Sequence, residues 1–164
     1  MKQATKLSIS MNGLIKFSQV FLLAIWAILL KAQTTLINPT AEGGFESGST
    51  FAANGWTVVN GATNQFFVGG VPVPYSGSNA AYISDNVTGT THTYTNTAAS
   101  TVHFYRDITF PAGETNITLT FKWKGQGEGS YDYVTVFSMP TSVTPVVNMP
   151  AGGFQSWLNI PTTY

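Results

Sequence analysis

From residue 33 onward, apolar residues alternate with polar ones in short runs, and no stretch repeats with the 3.6-residue period of a helix. The clearest run covers residues 117–124. The side chains expected to face a core there are Ile117, Leu119, Phe121 and Trp123, with threonines and lysines between them. Such alternation is typical of an antiparallel strand with one face on a core and one in water. The pattern predicts an all-β fold with Trp123 in its core.

Other short runs predict further strands. They cover residues 56–60, 65–68, 80–84, 101–110, 131–137 and 155–160. Asn60 and Gly61 form a hairpin-type turn signal between the first two runs. Residues 69–74 contain two prolines, which lack the amide that a central strand must donate. We therefore expect an irregular connection at residues 69–74.

Composition excludes several classes of protein. Charged residues make up 9% of the chain, far below the ~25% of an ordinary soluble protein, while aromatic residues reach 13%. Disordered chains show the opposite balance, so intrinsic disorder is excluded. The absence of cysteine rules out disulfides and thiolate metal sites. A formal net charge of zero argues against a strongly basic nucleic-acid-binding protein.

Residues 1–32 have the organisation of a secretory signal peptide. Three lysines and no acidic residue precede an unbroken apolar run over residues 20–30, and a polar region begins at Lys31. As a helix this run would span roughly 17 Å, well short of the ~30 Å hydrocarbon core of a bilayer. The sequence predicts a signal-peptide helix that is removed after Ala32. The alternative is an uncleaved membrane anchor or a buried helix.

Removal of residues 1–32 changes the charge balance. Residues 33–164 keep three basic residues against seven acidic ones, a net charge of −4. A mildly acidic surface disfavours nucleic-acid partners and is compatible with neutral glycans, proteins or divalent cations. The sequence therefore predicts a secreted or cell-surface protein, with an extracellular glycan or protein as partner, no nucleic acid, and no stable membrane span after cleavage.

No catalytic residues are predicted. The two histidines, His92 and His103, belong to no His-Glu-x-x-His pattern, and no Gly-x-Ser-x-Gly elbow is present. The acidic residues offer no pair that strands would aim into one cleft, as glycoside hydrolysis requires. Both histidines are interpreted as surface residues.

Calcium is the more plausible chemistry for this sequence. Ca²⁺ takes six to eight oxygen ligands, many of them from loops. Glu46 follows a glycine turn, Asp85 ends a predicted strand, and Asp132 begins one. We predict these three acids as metal ligands for a structural calcium ion. The alternative is that all three are solvated loop acids.

Aromatic residues raise the question of glycan binding. Trp56, Trp123 and Trp157 could stack on sugars, but tryptophans of a β-sandwich usually belong to its core. Tyr75, Tyr94 and Tyr105 are expected to be exposed and are weak candidates for a binding surface.

Several short motifs occur in a characteristic order. They are Gly44-Phe45-Glu46, Gly55-Trp56-Thr57, Ser76-Gly77-Ser78, Ala80-Ala81-Tyr82-Ile83-Ser84, Arg106-Asp107-Ile108, residues 119–124 and Tyr131-Asp132-Tyr133. In this order they resemble the cleaved-adhesin, or choice-of-anchor J, type of jelly-roll domain. That type is related in outline to MAM domains and occurs in secreted surface proteins of Bacteroidetes that use type IX secretion. The resemblance covers about residues 37–164.

The resemblance implies an antiparallel jelly-roll β-sandwich over residues 33–164. It also implies that Glu46 helps to bind a structural Ca²⁺ together with late acidic residues. Domains of this type continue with further strands carrying an Asp-rich segment, which would begin near Tyr164. We therefore expect an incomplete domain, truncated at its C-terminal end.

Three functions remain open at this point. The first is an exported, non-catalytic surface module of the adhesion type that binds carbohydrate or protein. The second is an accessory domain of a larger secreted peptidase or hydrolase whose catalytic part lies outside this chain. The third is a structural spacer without a ligand.

Overall fold

The computed structural model of the protein describes residues 33–129, 131–152 and 154–159. The predicted signal peptide, residues 1–32, lies outside the described residues. Contacts divide the chain after Thr35, and the unit described below is Leu36–Tyr164. Across the described ranges we find no helix with the length and apolar character that a membrane span requires.

The described chain is rich in β-structure. Its strands are β1 (Thr57–Val59), β2 (Gln65–Gly69), β3 (Ala80–Ser84), β4 (His103–Tyr105), β5 (Tyr133–Ser138) and β6 (Phe154–Asn159). They form antiparallel pairs: β1 with β4, β2 with β3, and β5 with β6. The prediction of a β-rich antiparallel fold is thereby confirmed.

A short 3₁₀ turn, Ala52–Asn54, precedes β1. Gly55 ends the turn in the left-handed conformation, at a φ of 69°, and its N–H donates to the Ala52 carbonyl at 3.0 Å. Glycine suits this position because it reaches positive φ without the steric cost of a Cβ. The chain then enters β1, whose Thr-Val-Val sequence favours extended backbone.

An aromatic cluster forms the main core near β1, β2 and β4. Its members are Phe45, Phe51, Trp56, Phe66 and Phe104, with ring centroids of neighbours 5.0–6.3 Å apart. Most of these pairs meet edge to face, the arrangement that the quadrupole of an aromatic ring favours. Phe104 of β4 contacts all four other rings. The cluster therefore joins β2 and β4 to the loop that contains Phe45.

On the other face of β2, Phe67 is the cross-strand partner of Tyr82 in β3. Phe67 lies 6.1 Å from the Tyr82 ring, and the Tyr82 hydroxyl donates to the Gly89 carbonyl. Burial raises the pKa of Tyr82. Ser84 is fully buried, and its hydroxyl accepts the Asn86 N–H at 3.0 Å. Both faces of β2 therefore carry aromatic contacts, through Phe66 on one face and Phe67 on the other.

The hairpin expected across Asn60 and Gly61 does not form. β1 and β2 each pair with a different strand instead. The Asn60 side chain closes the intervening loop, because its Oδ1 accepts the Phe66 N–H at 2.7 Å and its Nδ2 donates to the Phe66 carbonyl at 3.0 Å. These two hydrogen bonds to the Phe66 backbone come from a side chain, whereas a hairpin would have used backbone bonds between β1 and β2.

Two strand predictions need correction. The run over residues 101–110 is a strand only at β4, because Arg106 leaves the sheet and packs on Trp56 instead. Residues 117–124 form no strand, and the prediction that Trp123 lies in the core is wrong. Ile117, Leu119, Phe121 and Trp123 are 51%, 59%, 48% and 40% exposed. A strand needs a partner, and the described chain supplies none beside this segment.

Candidate functional site

Two loops, the first at residues 39–46 and the second at residues 76–79, meet around a small depression of about 170 Å³. It is lined by Pro39, Thr40, Gly44, Glu46, Ser76 and Gly77. This volume lies below the ~300–1,000 Å³ of pockets that enclose drug-sized ligands. A ligand here would therefore be a small group, or one end of a larger molecule lying across the surface.

Glu46 joins the two loops. Its Oε1 atom accepts the Ser78 N–H at 2.9 Å and the Asn79 N–H at 3.0 Å. Hydrogen bonds to a carboxylate are stronger than neutral ones, so this pair of bonds fixes the second loop against the first. The preceding residue, Phe45, has a φ of 63° and places its ring in the aromatic cluster. The Phe45 side chain thus packs in the core, and the next side chain, that of Glu46, lines the depression.

Gly77 is required at its position. Its φ is 75°, and a Cβ added to it would lie 2.2 Å from Glu46 Oε1. A larger residue would meet both a left-handed backbone and the carboxylate. Gly77 therefore allows the close approach of the two loops.

Arg106 anchors the first loop to the aromatic cluster. Its guanidinium lies 6.0 Å from the centroid of the Trp56 ring, and its Nη1 lies 3.9 Å from Glu42 Oε1. Trp56 Nε1 donates to the Glu42 carbonyl at 3.0 Å. The Asn38 N–H bonded to the Glu42 carboxylate, and more weakly Arg106, hold the pKa of Glu42 below its usual value.

Tyr75 stands beside the depression, next to Ser76 in the chain. Its side chain is 80% exposed. Lys122 Nζ lies 5.3 Å from the centroid of its ring, within the range of a cation–π contact. Of the three tyrosines proposed as binding residues, Tyr75 is the exposed one, whereas Tyr94 and Tyr105 are half-buried.

Asp85 and Asp132 accept hydrogen bonds from consecutive residues of one segment, residues 93–95. Thr93 and Thr95 donate their hydroxyls to the two oxygens of Asp85, at 2.7 and 3.2 Å. Tyr94, which lies between these two threonines in the sequence, donates its hydroxyl hydrogen to Asp132 Oδ2 at 2.7 Å. Asp132 Oδ2 also accepts the Glu128 N–H at 2.7 Å. These carboxylates organise the loops in which they lie.

The three predicted metal ligands lie in separate hydrogen-bond groups: Glu46 with Ser78 and Asn79, Asp85 with two threonines, and Asp132 with Tyr94. Within residues 33–129 and 131–152, no three Asp, Glu or His side chains converge as a metal site. Calcium binding at these residues stays a prediction.

The Tyr94–Asp132 bond gives a pH-dependent prediction. The hydrogen bond from Tyr94 to Asp132 raises the pKa of Tyr94, with burial and the negative charge of Asp132 adding to the effect. A tyrosine whose folded-state pKa is raised stabilises the fold below its unfolded pKa of ~10. That contribution is lost as the pH rises through the folded-state pKa.

We expect Tyr94→Phe to lower the free energy of unfolding by about 1 kcal/mol at neutral pH. The difference from wild type should shrink above pH ~10. Urea unfolding from neutral to alkaline pH measures this difference, with exposed Tyr131→Phe as the control. A difference that is absent at neutral pH, or that grows with pH, would contradict the assignment.

Neither histidine lines the depression. His103 Nε2 lies 3.1 Å from the Val146 carbonyl oxygen and 3.0 Å from that of Met149. Because a carbonyl oxygen only accepts, the His103 Nε2 atom must carry a proton. His92 is exposed, as expected. The side chain of Trp157 lies outside the described residues.

The sequence did not indicate two contacts of the site. Lys122 and Tyr75 are far apart along the chain, and no local pattern signals their pairing. The bonds from Ser78 and Asn79 to Glu46 use backbone amides, which leave no trace in side-chain identity. The sequence signal that could have indicated this loop is Gly77, because a glycine between two exposed serines is typical of a turn with positive φ.

Comparison with protein-family models, with curated proteins and with solved structures finds no match to this chain. Several of the motif residues singled out in the sequence contact one another in the structure. Phe45 and Trp56 share the aromatic cluster, Glu46 binds the backbone of Ser78, and Arg106 stacks on Trp56.

Proposed function

We propose that this chain is an exported, non-catalytic surface module of the cleaved-adhesin, jelly-roll type, which binds extracellular glycans or proteins. Its N-terminal 32 residues act as a signal peptide in this proposal. The observation that carries the proposal is the exposed Tyr75 ring beside the depression that Glu46 lines.

The chemistry of this surface favours a glycan. The face of an aromatic ring packs against the apolar C–H groups of a sugar, while hydroxyl groups at the sugar's rim need hydrogen-bond partners. Thr40, Ser76 and Glu46 supply oxygen atoms at the depression. Within the described residues, Oε2 of Glu46 accepts no protein hydrogen bond and can therefore accept one from a sugar hydroxyl.

The environment of the histidines supports a non-catalytic role. His103 uses Nε2 as a donor to backbone carbonyls, so that atom does not act as a base. His92 is exposed and is not among the residues that line the depression.

Tyr75→Ala tests the proposal. We expect purified wild-type protein to bind members of an immobilised panel of neutral oligosaccharides, and Tyr75→Ala to lose at least about tenfold in affinity, equivalent to ~1.4 kcal/mol. Tyr131→Ala is the matched control, because Tyr131 is 78% exposed and lies in a different loop. Equal losses for the two variants, or no binding to the panel by wild type, would argue against a glycan site at Tyr75.

We also propose that a structural calcium ion binds weakly at Glu46. Its carboxylate suits a hard cation, but Oε1 already accepts two N–H groups, and Ca²⁺ needs several more oxygens. We expect a small rise in melting temperature with calcium relative to chelator, reduced by Glu46→Gln. Asp107→Asn, a change to an exposed acid, is the control. Identical melting of wild type in both conditions would show that Glu46 serves only to join the loops.

A further inference from the structure

A positive charge lies over the exposed Tyr75 ring. Lys122 Nζ is 5.3 Å from the centroid of this ring, and both side chains are exposed. In the part of the chain that the structure describes, Lys122 forms no ion pair, whereas the Arg106 guanidinium lies beside Glu42. The charge of Lys122 is therefore open to a ligand that reaches Tyr75.

An aromatic ring satisfies the ammonium group of Lys122 only in part. A cation–π contact at an exposed site is weak, and an ammonium group has three N–H donors to place. A carboxylate accepts such donors in hydrogen bonds that are shorter and stronger than those of a neutral acceptor. The ligand group that best complements Lys122 is therefore a carboxylate.

The distribution of charge along the chain favours the same place. Residues 33–164 carry a net charge of −4, so most of the protein repels an anion. Residues 115–127 are the exception, because they contain Lys122 and Lys124 and no acidic residue. At physiological salt, charges act over only about 8 Å, so the nearest charged groups decide where an anion binds.

We propose that the glycan bound at Tyr75 is acidic: a sugar ring packs on the Tyr75 ring, and a carboxylate of the glycan binds Lys122 Nζ. This inference rests on the glycan-binding function proposed above and names the ligand class as oligosaccharides of uronic acids. The flexible stem of Lys122 lets Nζ follow a carboxylate at the edge of the ring. Glu46, which lines the depression, repels that carboxylate and accepts hydroxyl groups. The ligand therefore lies with its carboxylate toward Lys122 and hydroxyls toward Glu46.

The test compares each acidic ligand with its own methyl ester, which keeps the sugar and removes the charge. The probes are tetrasaccharides of galacturonate, of mannuronate and of hyaluronan, with chelator present so that no metal ion bridges protein and ligand carboxylates. We expect wild type to bind at least one of these acids at least about tenfold more tightly than its ester at low ionic strength. The preference should fall as salt is added, because exposed charges are screened.

Four proteins separate the roles of ring and charge. Lys122→Gln should abolish the preference for the acid over its ester. Lys124→Gln removes the same charge two residues further along the chain and should keep the preference. Tyr75→Ala should weaken acid and ester alike, because both use the ring. Thermal melting of the three variants and wild type checks that each is folded.

Two results would overturn this inference and leave a glycan site at Tyr75 standing: acid and ester that bind wild type equally well, or equal losses of preference in the Lys122 and Lys124 variants. Competition by polyglutamate as strong as that by the acidic tetrasaccharide would also overturn it, because the partner would then be an acidic peptide. If wild type binds neither the acids nor neutral oligosaccharides, this inference and the proposed glycan-binding function fall together.

Discussion

Phe51→Ala is expected to lower the free energy of unfolding by about 3–5 kcal/mol, the range for removing a large aromatic side chain from a packed interior. Phe51 is 5% exposed and contacts the rings of Phe45, Phe66 and Phe104. Its loss removes apolar burial and leaves a void between rings that come from three separate segments. A loss of this size is a large part of the ~5–15 kcal/mol that stabilises a typical domain.

Denaturant unfolding measures the effect, with Phe110→Ala as the matched control. Phe110 is 48% exposed, and its truncation should cost less than about 1 kcal/mol. If both variants lose the same stability, the aromatic cluster is not the main core of the described chain.

The second large effect is expected for Asn54→Ala. Asn54 is fully buried in the 3₁₀ turn and makes three hydrogen bonds. Its Oδ1 accepts the Ser47 N–H at 2.9 Å, and its Nδ2 donates to the carbonyls of Gly48 and Thr50, each at 2.8 Å. The substitution leaves these backbone groups without their partner, at about 1–3 kcal/mol for each buried group that water cannot reach. We expect a total loss of about 3 kcal/mol.

Asn116→Ala provides the comparison, because Asn116 is exposed and should tolerate the change within about 0.5 kcal/mol. Thermal melting of both variants decides the point. If Asn54→Ala melts at the same temperature as wild type, the prediction is wrong, and water makes the hydrogen bonds of the lost Asn54 side-chain amide.

Local pattern predicted the strands better than their partners. β2, β3, β5 and β6 lie where alternation and flanking turn residues placed them, to within one or two residues. Strand pairing depends on contacts between distant segments, so the turn signal at Asn60 wrongly suggested a hairpin of β1 with β2. The bonds from Asn60 to Phe66 belong to the folded loop and have no signal in the pattern.

Residues 117–124 show the limit of periodicity most clearly. Alternation records which face of a segment is apolar, but it does not say what will cover that face. The same reasoning applies to Glu46. Its motif predicted a calcium ligand, which stays a prediction, and the partners seen in the structure are two backbone amides.

The bonds between Glu46 and the second loop have a consequence for how such a surface can diversify. The Ser78 and Asn79 groups that bind the carboxylate are main-chain N–H groups, which every residue except proline provides. Mutations that exchange Tyr75, Ser76 or Ser78 would alter the exposed side chains without loosening the loop, provided that Gly77 and Glu46 are kept. The side chains of this loop can therefore change at little cost in folding, and under the proposed binding function such changes would alter specificity.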